Sequence, residues 1–153
     1  MRIRLIQGAN LNLLGERDPG LYGRMTPERL DRMIIEHAAR RGAGEGGRVE
    51  VDIHYTNHEG ECIDLIQEAF LKGWDGLVIN PGGFTRNSPA VEETLRMTGI
   101  PYVEVHMKNL EAHGGRSVLA KSAIGVIMGF KEKGYLYALD ALCDWLEGRL
   151  GGP

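Results

Sequence analysis

The run Gly76-Leu77-Val78-Ile79 carries no polar side chain until it reaches Asn80. A strand that is apolar at every position is covered on both faces, as in the centre of a parallel sheet flanked by helices. Four other segments supply partners for it. Ile3 to Ile6 reads as a first strand closed by a Gly stop. Val49, Val51, Ile53 and Tyr55 alternate with polar residues, which predicts a strand polar on one face, at a sheet edge. Pro101 to His106 reads as a fourth strand and Ile124 to Met128 as a fifth.

Helical patterns fill the gaps between them. Thr26-Pro27-Glu28 starts a helix: Thr caps, Pro takes the first helical position, and Glu suits the positive end of the dipole. Leu30, Met33, Ile34 and Ala38 then recur at helical spacing. Ile63, Ile66 and Phe70, with Leu65 and Ala69, mark a second helix. Val91 and Leu95 mark a third beginning near Ser88-Pro89. Tyr135, Leu139, Leu142, Leu146 and Leu150 mark a last, amphipathic one. Strands alternating with helices imply crossover connections and a three-layer α/β fold. Five parallel strands with an early edge strand suit the flavodoxin-like order 2-1-3-4-5. The 153 residues fit one domain, 1–153.

Composition narrows the function classes. The formal charge of -3 argues against a non-specific nucleic-acid binder, for which a basic stripe is expected. No run approaches the roughly 18 apolar residues of a membrane span. Cys62 and Cys143 are the only cysteines, and no Cys or His pair has metal-ligand spacing, so neither a disulfide framework nor a metal site is predicted. With no signal-peptide core after Met1, these features fit a cytoplasmic protein. His37 and His54 read as solvated, and His58 and His113 as loop residues without an assigned partner. Met25, Met33, Met97 and Met128 read as core or semi-core.

In a 2-1-3-4-5 sheet the order reverses between strands one and three, and ligands bind beyond the carboxyl ends of the strands there. Asn10 follows strand one, Asn80 ends strand three, and His106 ends strand four, so topology converges all three on one crevice. Glu104 precedes His106 by two, which points both side chains to one face. A carboxylate there orients the imidazole and favours the charged form that a general acid needs; otherwise His106 is a satisfied core histidine. The segment from Gln7 to Gly23 is much longer than an ordinary connection of about 2–6 residues and carries Asn10, Arg17 and Tyr22. An arginine beside a tyrosine favours the phenolate, so this loop reads as an active-site lid, or else as packing and surface residues. Asn80-Pro81-Gly82-Gly83 reads as a backbone cradle for an anionic or hydroxylated ligand, or as a plain turn. No dinucleotide or Walker glycine fingerprint follows strand one.

Asn10, Asn12, Leu13-Leu14-Gly15, Arg17, Pro19 and Tyr22-Gly23 resemble the opening loop of type II 3-dehydroquinate dehydratase. So do Asn80-Pro81-Gly82-Gly83-Phe84-Thr85, Val103-Glu104-Val105-His106 with Asn109, and Gly125 through Leu139, across about Ile3 to Leu146. The resemblance implies a carbon-oxygen lyase that converts 3-dehydroquinate to 3-dehydroshikimate in the shikimate pathway, without metal or cofactor. It implies Tyr22 as base, Arg17 as stabiliser of its phenolate, Asn10 as holder of a water at the enolate oxygen, and His106, with Glu104 behind it, as general acid. Asn80, Gly82, Gly83, Arg86, Glu93, Arg116 and the backbone of Met107 and Lys108 would bind substrate. It also implies a homo-dodecamer built from trimers, with an acidic residue reaching into a neighbour's site, and no nucleic-acid or membrane partner.

Several positions depart from the family pattern. Ala9 replaces a proline, Arg86 a histidine, Glu93 an aspartate, Lys108 a serine and Ile124 a threonine, and the loop between Asn109 and Gly125 is about three residues short. Arg86 and Lys108 add two cations, which favour a more anionic ligand. Two alternatives follow: a relative performing the same enolate chemistry on another hydroxy-ketone or hydroxy-acid, and a non-catalytic flavodoxin-like binding module.

Overall fold

The computed structural model describes residues 1–16, 25–43 and 47–150, with the side chain of His113 excepted. Arg17 and Tyr22 lie outside the described residues. Five strands, β1 (Arg2–Ala9), β2 (Glu50–Tyr55), β3 (Gly76–Gly82), β4 (Tyr102–His106) and β5 (Gly125–Met128), form one parallel sheet in the order β2-β1-β3-β4-β5. The helices α1 (Pro27–Gly42), α2 (Glu59–Leu71), α3 (Pro89–Thr98) and α4 (Lys133–Leu146) cover it. This is the flavodoxin-like arrangement expected from the alternating pattern, with β2 at one edge and β3 in the middle.

Side-chain alternation divides the core into two layers. Ile3, Leu5, Val78, Val103 and Val105 face α1 and α4, against Leu30, Ile34, Ala138, Leu139 and Leu142. Ile6, Leu77, Ile79 and Tyr102 face α2 and α3, against Cys62, Ile66, Ala69, Val91 and Leu95. Cys62 and Cys143 are free and buried in opposite layers, so the sheet separates them. Burial pushes their thiols up to about 12 and about 11. At α1 the predicted cap is present: Thr26 accepts the Arg29 N–H at 3.4 Å, with Pro27 in the first turn.

Some expectations change. β1 runs three residues past Ile6, through Gln7, Gly8 and Ala9, because β3 also extends to Gly82 and pairs with it there. Only glycine fits at position 8, where a Cβ would sit 2.1 Å from the Pro81 carbonyl oxygen. Phe70 is 52% exposed, since the buried arc of α2 is Cys62, Ile66 and Ala69, one position off it. Leu150 is exposed as well: α4 ends at Leu146 and Gly148 turns the chain with φ +71°. Met97 is an exposed residue of α3. His37 and His54 are not simply solvated. They lie 2.8 Å from Asp140 and Asp52, two half-buried ion-pairing positions.

Candidate active site

A cavity of about 280 Å³ opens beyond the carboxyl ends of β1, β3 and β4, lined by Asn10, Leu11, Leu14, Asn80, Gly82, Gly83, Thr85, His106, Met107, Lys108 and Leu110. It sits where the strand order reverses. A larger cavity, about 460 Å³, lies between α1 and β2; among the described residues its charged lining is Arg48 and Glu50.

One wall of the cavity is built by the end of β4. Glu104 and His106 point to the same face, and His106 Nε2 lies 2.5 Å from Glu104 Oε1. Glu104 is 0% exposed and His106 5%. Glu104 Oε2 has no hydrogen-bond partner among the described residues, so the imidazole is the group that compensates this buried carboxylate. With Nε2 turned to Glu104, Nδ1 is the ring nitrogen left to serve a ligand.

Asn10 is placed by its backbone. Its φ of +73° is left-handed, a conformation asparagine tolerates better than most residues. Asn57 Oδ1 accepts the Asn10 N–H at 2.8 Å. Asn57 itself sits in a turn held by Thr56, whose hydroxyl accepts the His58 N–H at 3.0 Å and donates to Glu61 at 2.5 Å. Beyond Asn10 the chain makes a short 3-10 turn, Leu11–Leu13, and buries Leu14 against the cavity. Gly15 packs against Met25 and Thr26, so the described chain on either side of residues 17–24 meets beside Leu14.

Asn80 enters the cavity from β3. Its Oδ1 accepts the Gly82 N–H at 3.2 Å and its Nδ2 donates to the Tyr135 hydroxyl at 2.6 Å. Of the two readings of Asn80-Pro81-Gly82-Gly83, ligand cradle or plain turn, the backbone hydrogen bonds are those of a turn. Gly83 N–H donates to Ala9 at 2.9 Å, Phe84 N–H to Pro81 at 2.9 Å, and Thr85 N–H to Gly82 at 3.3 Å. Gly82 has φ +54°, and a Cβ there would lie 2.4 Å from the Ala9 carbonyl oxygen. The segment is a tight turn that spends its donors internally and lets the chain pass close to Ala9.

Asn10, Asn80, Gly82, Gly83, His106, Met107 and Lys108 thus come together, with Glu104 behind His106. Three predicted binding residues do not line this cavity. Arg86 is exposed, its guanidinium packed over Gly115. Arg116 lines a neighbouring cavity of about 310 Å³ with Glu111, Ser117 and Lys121; among the described residues the two cavities share Leu110. Glu93 is 73% exposed on α3, 4.0 Å from Arg96; the buried acid of that helix is Glu92, 3.4 Å from Lys121. Reading the sequence missed Leu11, Leu14, Thr85 and Leu110 as lining residues. It also missed Gln7 and Tyr135, although a glutamine inside an apolar strand and a tyrosine on a buried helix face both call for buried partners.

An open parallel sheet with a buried glutamate–histidine pair and two asparagines at its switch point defines an α/β protein of the flavodoxin-like class. The description "Dehydroquinase class II" matches residues 1–143, and the chain belongs to that family. A 3-dehydroquinate dehydratase of Halothermothrix orenii is 42% identical over 149 residues, covering 95% of this chain and 96% of that one. The crystal structure of the type II dehydroquinase from Butyrivibrio crossotus superposes with a TM-score of 0.86 at 39% identity, covering 93% of this chain and 97% of that one. That of Propionibacterium acnes gives 0.83 at 30% identity, with 93% and 95% covered.

Proposed function

We propose that this chain dehydrates 3-dehydroquinate to 3-dehydroshikimate in the cytoplasm through an enolate. The observation that carries the reading is the buried Glu104–His106 pair facing a cavity that Asn10 and Asn80 also line, in a chain of this family. Tyr22, as phenolate stabilised by Arg17, takes the proton from the carbon between the ketone and the carbon bearing the tertiary hydroxyl. The electron pair moves to the ketone oxygen, where a water held by Asn10 stabilises the developing charge. Collapse of the enolate forms the carbon–carbon double bond and expels the hydroxyl. His106 supplies its proton, so one water leaves.

Glu104 holds the ring through Nε2 while Nδ1 serves the leaving group, the division of labour of a general acid backed by a carboxylate. Asn80, with the backbone of Met107 and Lys108, binds the carboxylate and tertiary hydroxyl. Gly82 and Gly83 shape that wall without offering free N–H groups. The Lys108 ammonium adds charge attraction for the substrate carboxylate. Of the five substituted residues Ala9, Arg86, Glu93, Lys108 and Ile124, Lys108 alone lines the cavity of one chain, which favours this substrate over a wholly different ligand.

The exposed Glu93 suits a residue that reaches a neighbour's site in a dodecamer built from trimers. Arg86 and Arg116, on adjoining loops, would contact ring hydroxyls from the rim. Light scattering tests the assembly: a mass near twelve chains supports it, and a clean monomer contradicts it. The activity is tested by mixing purified protein with 3-dehydroquinate and following the absorbance of the conjugated enone. A rise that scales with protein concentration is expected, and no rise at high protein concentration rejects the reading.

A further inference from the structure

Gln7 of β1, Asn80 of β3 and Tyr135 of α4 meet on the face of the sheet opposite His106, and all three are buried. Their hydrogen bonds have one self-consistent direction. The Gly82 N–H can only donate, so the Asn80 atom 3.2 Å away is the amide oxygen. The Asn80 nitrogen therefore faces Tyr135 and donates to its hydroxyl oxygen at 2.6 Å. The single Tyr135 hydrogen then goes to Gln7 Oε1 at 2.8 Å. Turning the Asn80 amide over would set a donor against the Gly82 N–H. Burial raises the Tyr135 phenol above its ordinary pKa, so the hydroxyl keeps the hydrogen this chain requires. Residues 128 positions apart are thereby joined through one ring oxygen.

We propose that Tyr135 is a positioning residue for Asn80. It takes one hydrogen of the Asn80 amide and, anchored by Gln7, leaves the other to be donated to an oxygen of the bound substrate. This role rests on the reading of the cavity as the 3-dehydroquinate site. A hydroxyl that served only the core would affect stability without affecting how tightly a ligand is held. A hydroxyl that aims Asn80 would affect the Michaelis constant, because an amide left unpaired turns away or spends its hydrogens elsewhere.

The test compares the wild-type protein with Tyr135→Phe, Asn80→Ala and the double variant, reading kcat, KM for 3-dehydroquinate and melting temperature. Tyr135→Phe is expected to raise KM roughly tenfold while kcat stays within about threefold, the effect of one misdirected buried hydrogen bond. The double variant is expected to show no higher KM than Asn80→Ala, since both changes remove one contact. Tyr135→Phe with a lowered melting temperature and unchanged KM overturns the proposal, as does a double variant whose KM is the product of the single effects. If Tyr135→Phe does not fold, Gln7→Met replaces it: removing the acceptor frees the Tyr135 hydrogen, a raised KM supports the role, and an unchanged KM overturns it. Absence of turnover in the wild-type protein instead rejects the reading of the site itself, and the positioning role with it.

Discussion

His106 Nε2 stands 2.5 Å from Glu104 Oε1, with both side chains buried and the second carboxylate oxygen unpaired among the described residues. The carboxylate is therefore committed to the imidazole. Glu104→Gln keeps the shape and removes the charge. The expected outcome is a fall in kcat of about 10²-fold or more, the usual scale of a general acid's contribution, with KM changed only a few-fold. Steady-state kinetics decide this, and a kcat within tenfold of wild type would show that the pair is structural.

Asn57 holds the backbone of the lining residue Asn10 without itself lining the cavity. Asn57→Ala removes the acceptor at Oδ1 and leaves the left-handed Asn10 less constrained. One lost hydrogen bond of about 1–1.5 kcal/mol predicts a drop in kcat/KM of roughly tenfold. Unchanged kcat/KM in a folded Asn57→Ala protein would mean that Asn10 is held by other contacts.

Gly82→Ala combines a left-handed backbone with a Cβ 2.4 Å from the Ala9 carbonyl oxygen. The partner atom is backbone and cannot swing aside. A destabilisation of at least ~3 kcal/mol follows, or a loss of roughly 10 °C in melting temperature. A melting curve matching wild type would contradict the tight pairing of β1 and β3 at their carboxyl ends.

Asp52 links Arg4 and His54, at 2.9 and 2.8 Å. Burial works to raise its pKa, but hydrogen bonds and charge from His54 and Arg4 outweigh it and hold the carboxyl below its ordinary value. A carboxyl depressed in the folded state adds stability above its unfolded pKa of about 3.9 and loses it as pH falls through the lower folded value. The stability advantage of wild type over Asp52→Asn is therefore expected to be steady near pH 5 and to shrink below about pH 4. Urea unfolding across this range measures it, and a difference that stays constant down to pH 2.5 would contradict the pairing.

Much of this architecture was legible in the sequence for simple reasons. A strand apolar on both faces, such as Leu77 to Ile79, has one environment that satisfies it, and the alternation of Val49, Val51, Ile53 and Tyr55 has another. Their positions relative to Thr26-Pro27 and Ser88-Pro89 then select the topology, which brings Asn10, Asn80 and His106 together before any side chain is placed. What stayed hidden depends on angles and partners that spacing does not encode. Phe70 misses the buried arc of α2 by one residue. The N–H groups of Gly82 to Thr85 turn inward on hydrogen bonds that only the three-dimensional turn defines. Tyr135 reads as one more apolar anchor until Gln7, from the far end of the chain, is seen to accept its hydrogen.

The stepwise account is tested most directly by exchange. In heavy water, removal and return of the proton beside the ketone incorporates deuterium into 3-dehydroquinate, whereas loss of the hydroxyl gives product. NMR on protein, substrate and heavy water follows both at once. With Tyr22 as base and His106 as acid, His106→Asn is predicted to keep catalysed deuterium incorporation while product formation falls by about 10²-fold or more, and Tyr22→Phe is predicted to lose both. Retained exchange in Tyr22→Phe, or product formation near the wild-type rate in His106→Asn, would contradict the account.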